Sequence, residues 1–212
     1  MADKDDLITR YYKRHHAGAD GTQRYGFTIG GDERANWFRR HIGAGTRLLD
    51  IGCRDGTMTN KLSVGHAVTG IDIDDDALAL ANRNHGISTR KVDLNREPLP
   101  FDSGSFDVVV AGEILEHLQF PEHAVSEIYR VLASGGVFVG SVPNAFRVFN
   151  RVFFLLGKDF ENDPTHLHHF SPDSVKNLLS SFANVEVDFI CSRHLWLSPR
   201  LMGTDLVWVA RK

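Results

Sequence analysis

Cysteine is scarce in this 212-residue chain: Cys53 and Cys191 are the only two, and they lie far apart. Two cysteines cannot build a disulfide framework, and neither sits in a metal-binding spacing, so a reducing environment is expected. Long apolar runs are missing as well. Nowhere do ~18 uninterrupted apolar residues occur, which excludes a helical membrane span. The stretch from Met1 to Lys13 is charged and lacks the apolar region of a secretion signal, so a soluble, cytoplasmic protein is expected. Nor does one sign of charge dominate. With 24 Lys and Arg against 27 Asp and Glu, the formal net charge is -3. A long polyanion is therefore not the expected partner: DNA is not expected and RNA is disfavoured. There is no internal repeat and no low-complexity tract, and the sequence carries no mark of oligomeric state.

What is present is enough apolar content, 42%, for one substantial core. From Arg47 onward, short apolar runs alternate with helix-like stretches, the pattern of βαβ units in a mostly parallel, doubly wound α/β sheet. Seven strands are predicted at 47–51, 67–71, 88–92, 106–111, 136–142, 185–191 and 206–210. Helices are predicted at 57–62, 75–84, 114–118, 121–132 and 172–181. Asp75 is expected to cap the second of these and Ser171, before Pro172, the last. Gly135 and Gly136 are expected to end the long helix, whose apolar face carries Val125, Ile128 and Leu132.

Two segments stand outside the alternation. Residues 1–44 predict a cover helix at 32–41, preceded by a lid rich in Tyr and Gly (Tyr11, Tyr12, Tyr25, Gly30, Gly31). Residues 143–170 read as an inserted substrate lid. It sets Phe146, Phe149, Val152, Phe153, Leu155 and Leu156 beside Arg147, Arg151 and Lys158, so both a helix packed on the domain and a helix making peripheral membrane contact are compatible with it.

The run Leu48-Leu49-Asp50-Ile51-Gly52-Cys53-Arg54-Asp55-Gly56 is a buried strand that enters a turn and then a helix, the place where open α/β sheets bind ligands. Gly52 and Gly56 let the backbone approach a ligand closely. Asp72 closes the second strand about 20 residues later, at the spacing of a carboxylate that meets ribose hydroxyls. Cys53, Arg54 and Asp55 replace the G-x-G-x-x-G run that accommodates a pyrophosphate, and Asp55 would repel one. A cationic sulfonium nucleoside fits better.

Six motifs in order carry a resemblance: Leu49-Asp50-Ile51-Gly52-Cys53, Gly70-Ile71-Asp72, Val92-Asp93-Leu94, Phe106-Asp107-Val108-Val109, Glu113-Ile114-Leu115-Glu116-His117-Leu118 and Leu132-Ala133-Ser134-Gly135-Gly136. Residues ~45–142 resemble the Rossmann-like, class I S-adenosylmethionine-dependent methyltransferase superfamily. The resemblance implies a single methyltransferase domain over 1–212 and a seven-stranded sheet with its last strand antiparallel. It implies S-adenosylmethionine as cofactor, with Asp50 and Gly52 along the methionine part and Cys53 and Gly56 in the turn. Asp72, with Ile73 beside it, would meet the ribose; Asp93 would meet the adenine amine with Leu94 beside the ring; Ala111 and Gly112 would border the sulfonium. Arg54 departs from the family turn, which usually has Gly there. It needs a negative or a strained φ.

Methyl transfer from a sulfonium is an in-line displacement, so a hydroxyl acceptor needs alignment and a base of near-neutral pKa. Of 11 histidines, His117, His166, His168 and His169 fall where the acceptor is expected, and Glu113, His117 and His168 are the predicted catalytic groups. A divalent metal is a further expectation. If 113–117 open a helix, Glu113, Glu116 and His117 share one face, and His168 reaching in from 143–170 completes a set suited to Mg²⁺, Mn²⁺ or Zn²⁺. The competing reading has these carboxylates capping the helix or binding the acceptor directly. Through Glu113-Ile114-Leu115-Glu116-His117 the chain resembles small-molecule O-methyltransferases of the ubiquinone-biosynthesis type. The alternatives are a terminal RNA 2′-O-methyltransferase, which has a later motif like His166-Leu167-His168-His169-Phe170, and a non-catalytic partner protein of the same fold.

Overall fold

In a computed structural model, residues 25–160 and 163–212 are described. The lid expected around Tyr11 and Tyr12 lies outside them.

Period-two burial explains the sheet. In β1 (Arg47–Ile51), Leu49 and Ile51 face one hydrophobic layer and Leu48 the other; in β4 (Phe106–Gly112), Val109 and Ala111 part from Val108 and Val110 in the same way. Both layers are covered, so these strands read as continuous apolar runs. β1 pairs in parallel with β4 and with β2 (Ala67–Asp72), and β2 pairs in parallel with β3 (Ser88–Lys91). Beyond β4 lie β5 (Leu132–Pro143), parallel to it, then β7 (Asp205–Arg211) and β6 (Ala183–Ile190), with β7 antiparallel to both neighbours. The seven-stranded order is β3-β2-β1-β4-β5-β7-β6, and it reverses direction of winding beside β1, where a ligand crevice opens at the carboxyl ends of the strands.

Of the helices, α1 (Gly31–Arg39) buries Ala35, Trp37 and Phe38 against the layer of Leu48, Val108 and Val110. Next come α2 (Thr57–Leu62) and α3 (Asp75–His85), then α4 (Pro121–Val131), which buries Val125 and Ile128 in the opposite layer. α5 (Val148–Leu155), α6 (Pro172–Leu178) and α7 (Pro199–Met202) complete the described set. Ser171 caps α6 through a capping box with Ser174, as its sequence implies.

Four local expectations are corrected. Asp74, not Asp75, caps α3, its carboxylate accepting from the Asp76 and Ala77 amides. α4 ends at Val131 rather than at the glycines, because Leu132 already pairs with Phe106; the register shift between Phe106 and Val108 then lets Gly135, at φ 75°, turn outward. No α-helix opens at 113–117: Glu113 has φ 59° and only Leu115–His117 form one 3₁₀ turn. Finally, only the start of α5 packs on the domain: Asn150 is buried, whereas every residue from 151 to 159 is exposed.

Candidate active site

β1 runs into the turn at Gly52, whose amide and that of Cys53 both donate to the Ile71 carbonyl at 2.8 and 3.0 Å. Arg54 takes the strained option, φ 49°, a conformation that costs a non-glycine residue roughly 1–2 kcal/mol. Its amide donates to Asp72 Oδ2 at 2.9 Å, and the Asp74 amide donates to Asp72 Oδ1 at 2.9 Å, so the Asp72 carboxylate organises the turn from beneath. The guanidinium of Arg54 lies 5.4 Å from the Tyr25 ring centroid. Gly56, at φ 77°, must be glycine: a Cβ there would stand 2.8 Å from Ile87 Cδ1 and 2.9 Å from Ala81 Cβ. Beneath the turn, Asp50 is buried and accepts from the Thr59 hydroxyl at 2.5 Å; burial pushes its carboxyl up to about 7.

A cavity of about 870 Å³ opens over these strand ends. Gly52, Cys53, Asp72, Ile73, Asp93, Leu94 and Gly112 of the predicted cofactor set line it. Asp50, Gly56 and Ala111 do not; they shape the wall from behind. Arg96 Nε lies 3.5 Å from Asp93 Oδ2. Asp55, whose Oδ2 accepts from the Gly26 amide at 2.6 Å, ties the amino-terminal segment across this end.

The other end of the same cavity holds Glu113, Glu116, His117 and His166. The left-handed backbone of Glu113, with its amide on the Ser141 carbonyl at 3.0 Å, turns the chain out of β4 and aims these side chains inward. Arg34, 4% exposed, reaches in from α1: its Nη2 is 2.7 Å from Asp205 Oδ2 and 3.5 Å from Glu113 Oε1. Burial raises the Glu113 carboxyl to about 7, with Arg34 pulling it down and Asp205 pushing it up. Glu116 is driven further above the carboxylate range, first by burial and then by Glu113. Among the described residues, neither of its carboxyl oxygens, nor Glu113 Oε1, has a hydrogen-bond partner.

His117 is oriented by the segment after α5. The Thr165 hydroxyl donates to Asp163 Oδ1 at 2.5 Å and lies 2.8 Å from His117 Nδ1, which is also 3.2 Å from the Thr165 carbonyl. Both of these neighbours accept, so the network assigns the ring proton to Nδ1 and leaves the lone pair on Nε2, 3.9 Å from Glu116 Oε1. His166 Nε2 lies 3.6 Å from Asp163 Oδ2 and 4.0 Å from Glu116 Oε1. The amides of Leu167 and His168 donate to the Glu116 carbonyl at 2.8 and 3.2 Å, strapping the two segments together.

Of the predicted catalytic groups, Glu113 and His117 face the cavity and His168 does not; its ring packs 5.9 Å from that of Phe170. His169 packs against Phe160. The predicted metal set is not what converges. Among the described residues, the metal-capable group is Glu116, His117 and His166, with ligand atoms within 4.8 Å of one another. Glu113 is drawn away to Arg34 because 113–117 is not helical. The sequence reading missed Arg34, Asp163, Thr165 and Asp205. The Arg34–Asp205 pair spans 171 residues and has no local signal, whereas Asp163-x-Thr165-His166 was open to view as a polar cluster in an apolar insertion.

The geometry has counterparts in known proteins. Residues 49–140 match the family model described as "Methyltransferase domain". The chain is 34% identical over 167 residues to the "Probable S-adenosylmethionine-dependent methyltransferase" of Mycolicibacterium smegmatis, covering 74% of this chain and 62% of that one. It is likewise 34% identical over 134 residues to the "Ubiquinone biosynthesis O-methyltransferase" of Aromatoleum aromaticum, covering 60% of this chain and 56% of that one. The chain thus spans about three fifths of the length of these curated relatives. In fold it is similar to a SAM-dependent methyltransferase from Thermotoga maritima described as a possible histamine N-methyltransferase, with TM-score 0.69 at 17% identity over 98% of this chain and 95% of that one. A matching family model over the cofactor strands, relatives of one kind and the sheet order agree: residues 49–140 match a methyltransferase domain, and the chain is similar to Rossmann-like S-adenosylmethionine-dependent methyltransferases.

Proposed function

We propose that this chain transfers the methyl group of S-adenosylmethionine to a hydroxyl oxygen of a small-molecule acceptor. One observation carries the reading: a single cavity joins the Gly52 turn, Asp72 and Asp93 at one end to Glu113, Glu116, His117 and His166 at the other. The first end suits a cationic nucleoside and the second suits proton removal. In the transfer, the carbon–sulfur bond breaks as the carbon–oxygen bond forms. The sulfonium becomes a neutral thioether, and the acceptor's proton passes to a base. Glu113, with its carboxyl at about 7, near the pKa that serves neutral pH best, and His117, with its ring proton assigned to Nδ1, are the candidate bases. Burial and the neighbouring Glu113 push the Glu116 carboxyl up, which favours the protonated form that would donate a hydrogen bond to the acceptor. Arg147, Asn150 and His166 wall this end, which supports reading the segment that carries them as a lid, and Phe27, Thr28 and Ile29 wall the other.

The residues also fit a divalent cation, because Glu116 offers two buried, unpartnered oxygens beside the His117 and His166 rings. Bound there, such an ion would lower the pKa of an acceptor hydroxyl. Holding it would require Glu116 to lose its proton, so binding would strengthen as pH rises.

Labelled cofactor with candidate hydroxyl and amine acceptors tests the reading. Oxygen-linked product that falls away in Glu113→Gln and His117→Ala supports it, and product on nitrogen or on RNA replaces it. Loss of activity on exhaustive chelation, restored by Mg²⁺, Mn²⁺ or Zn²⁺, supports the cation; full activity in chelator removes it.

A further inference from the structure

α5 presents an apolar surface that the other described residues leave uncovered. Phe149, Val152, Phe153, Phe154, Leu155 and Leu156 are between 42% and 82% exposed. Soluble domains rarely leave so many large apolar side chains contiguous in solvent unless something docks there. A second apolar projection stands close by in the fold. Trp196, 78% exposed, and Leu197, 54%, precede α7, and Asn144, ahead of α5, holds α7 by donating from Nδ2 to the carbonyls of Arg200 and Gly203 at 3.1 and 2.9 Å.

The charge on these two segments identifies the partner. Residues 144–160 and 191–202 together hold Arg147, Arg151, Lys158, Arg193 and Arg200 against a single carboxylate, Asp159, although the whole chain is net negative at -3. We infer that α5 and the Trp196 loop form a docking surface for an anionic phospholipid bilayer. A helix of eight residues, about 12 Å long, is far too short to span a membrane; lying in the interface, it sinks Phe and Leu side chains among the acyl chains while the basic side chains meet phosphate. Trp196 is the residue type that settles at the same depth. A second copy of the chain fits less well, because a two-fold contact through this face would set the basic stripe against itself with only Asp159 to answer it. Since Arg147 and Asn150 also line the cavity, docking sets the mouth of the acceptor site against the lipid surface.

The test needs no cofactor or acceptor, so it stands or falls apart from the methyl-transfer reading. Full-length protein is sedimented with vesicles of phosphatidylcholine, with or without phosphatidylglycerol, at low and high salt. The expected result is binding to the anionic vesicles that is about tenfold weaker on neutral vesicles or in high salt, is lost in Phe154→Glu/Leu155→Glu, and is weakened in Arg151→Gln/Lys158→Gln, with all variants keeping the native circular dichroism spectrum. All of these positions are exposed and outside the cavity wall. Protein that stays in the supernatant with both vesicle types overturns the inference, as does a concentration-dependent dimer, measured by analytical ultracentrifugation, that the Phe154→Glu/Leu155→Glu change abolishes while vesicle binding is absent.

Discussion

The hydroxyl of Thr165 stands 2.8 Å from His117 Nδ1 and 2.5 Å from Asp163 Oδ1, so one small side chain transmits the pull of a carboxylate to the imidazole that faces the cavity. This relay joins two segments that the sequence separates by 48 residues, and it fixes which ring nitrogen carries the proton. Thr165→Val keeps the shape and removes the relay. We expect kcat to fall ~10–100-fold, with Thr165→Ser recovering most of it. Long-range ¹H–¹⁵N correlation of His117 should show the proton on Nδ1 in the native and Ser forms and a mixture of tautomers in the Val form. An unchanged tautomer in Thr165→Val would give Thr165 a packing role only.

Arg34 is the buried cation between Glu113 and Asp205. Replacing it by Met leaves two carboxylates without their counter-charge, and the folded state should lose ~3–5 kcal/mol at pH 8, read from denaturant unfolding. Because Arg34 holds the Glu113 carboxyl down, its removal raises that carboxyl further. The acid limb of the rate profile should therefore move to higher pH. A profile that stays in place would exclude Glu113 as the base.

Asp50 and Glu113 each have a folded-state carboxyl near 7, above the ordinary values of 3.8 and 4.5. The native state thus holds protons that the unfolded chain has released between pH ~4 and ~7, and stability must fall as pH rises through that window, by up to ~1.4 kcal/mol per pH unit for each group. Asp50→Asn removes one share of the slope and keeps the volume. Unfolding free energies at pH 5, 6 and 7 should show a shallower decline in the variant, while a decline as steep as the native one would place the effect elsewhere.

How far the sequence foretold this molecule follows from the range of each interaction. β1 and α2 fall at the residues predicted, because an apolar run before Gly52 and a helix after Gly56 are written locally. The order of motifs named the superfamily for the same reason: each motif sits at one strand end, and the strand ends are neighbours. Backbone at positive φ was left open by the sequence at Arg54 and not signalled at Glu113. Arg54 and Glu113 both adopt it, against the preference of their own side chains, and the second case dissolved the expected helix and with it the i, i+3, i+4 face. His166 then took the place assigned to His168, since the strap of Leu167 and His168 amides on the Glu116 carbonyl sets which of the neighbouring rings points inward. The Arg34–Asp205 pair closes only when α1 folds over the sheet, so no local pattern announces it.

Cofactor binding is the claim on which the rest depends, and titration calorimetry of the full chain with S-adenosylmethionine and with S-adenosylhomocysteine tests it most directly. The predicted result is saturable one-site binding of both, weakened at least about tenfold by Asp72→Ala and by Asp93→Ala, the loss expected when a carboxylate hydrogen bond is removed. No heat with either ligand at millimolar concentration, from protein that circular dichroism shows to be folded, would contradict the account.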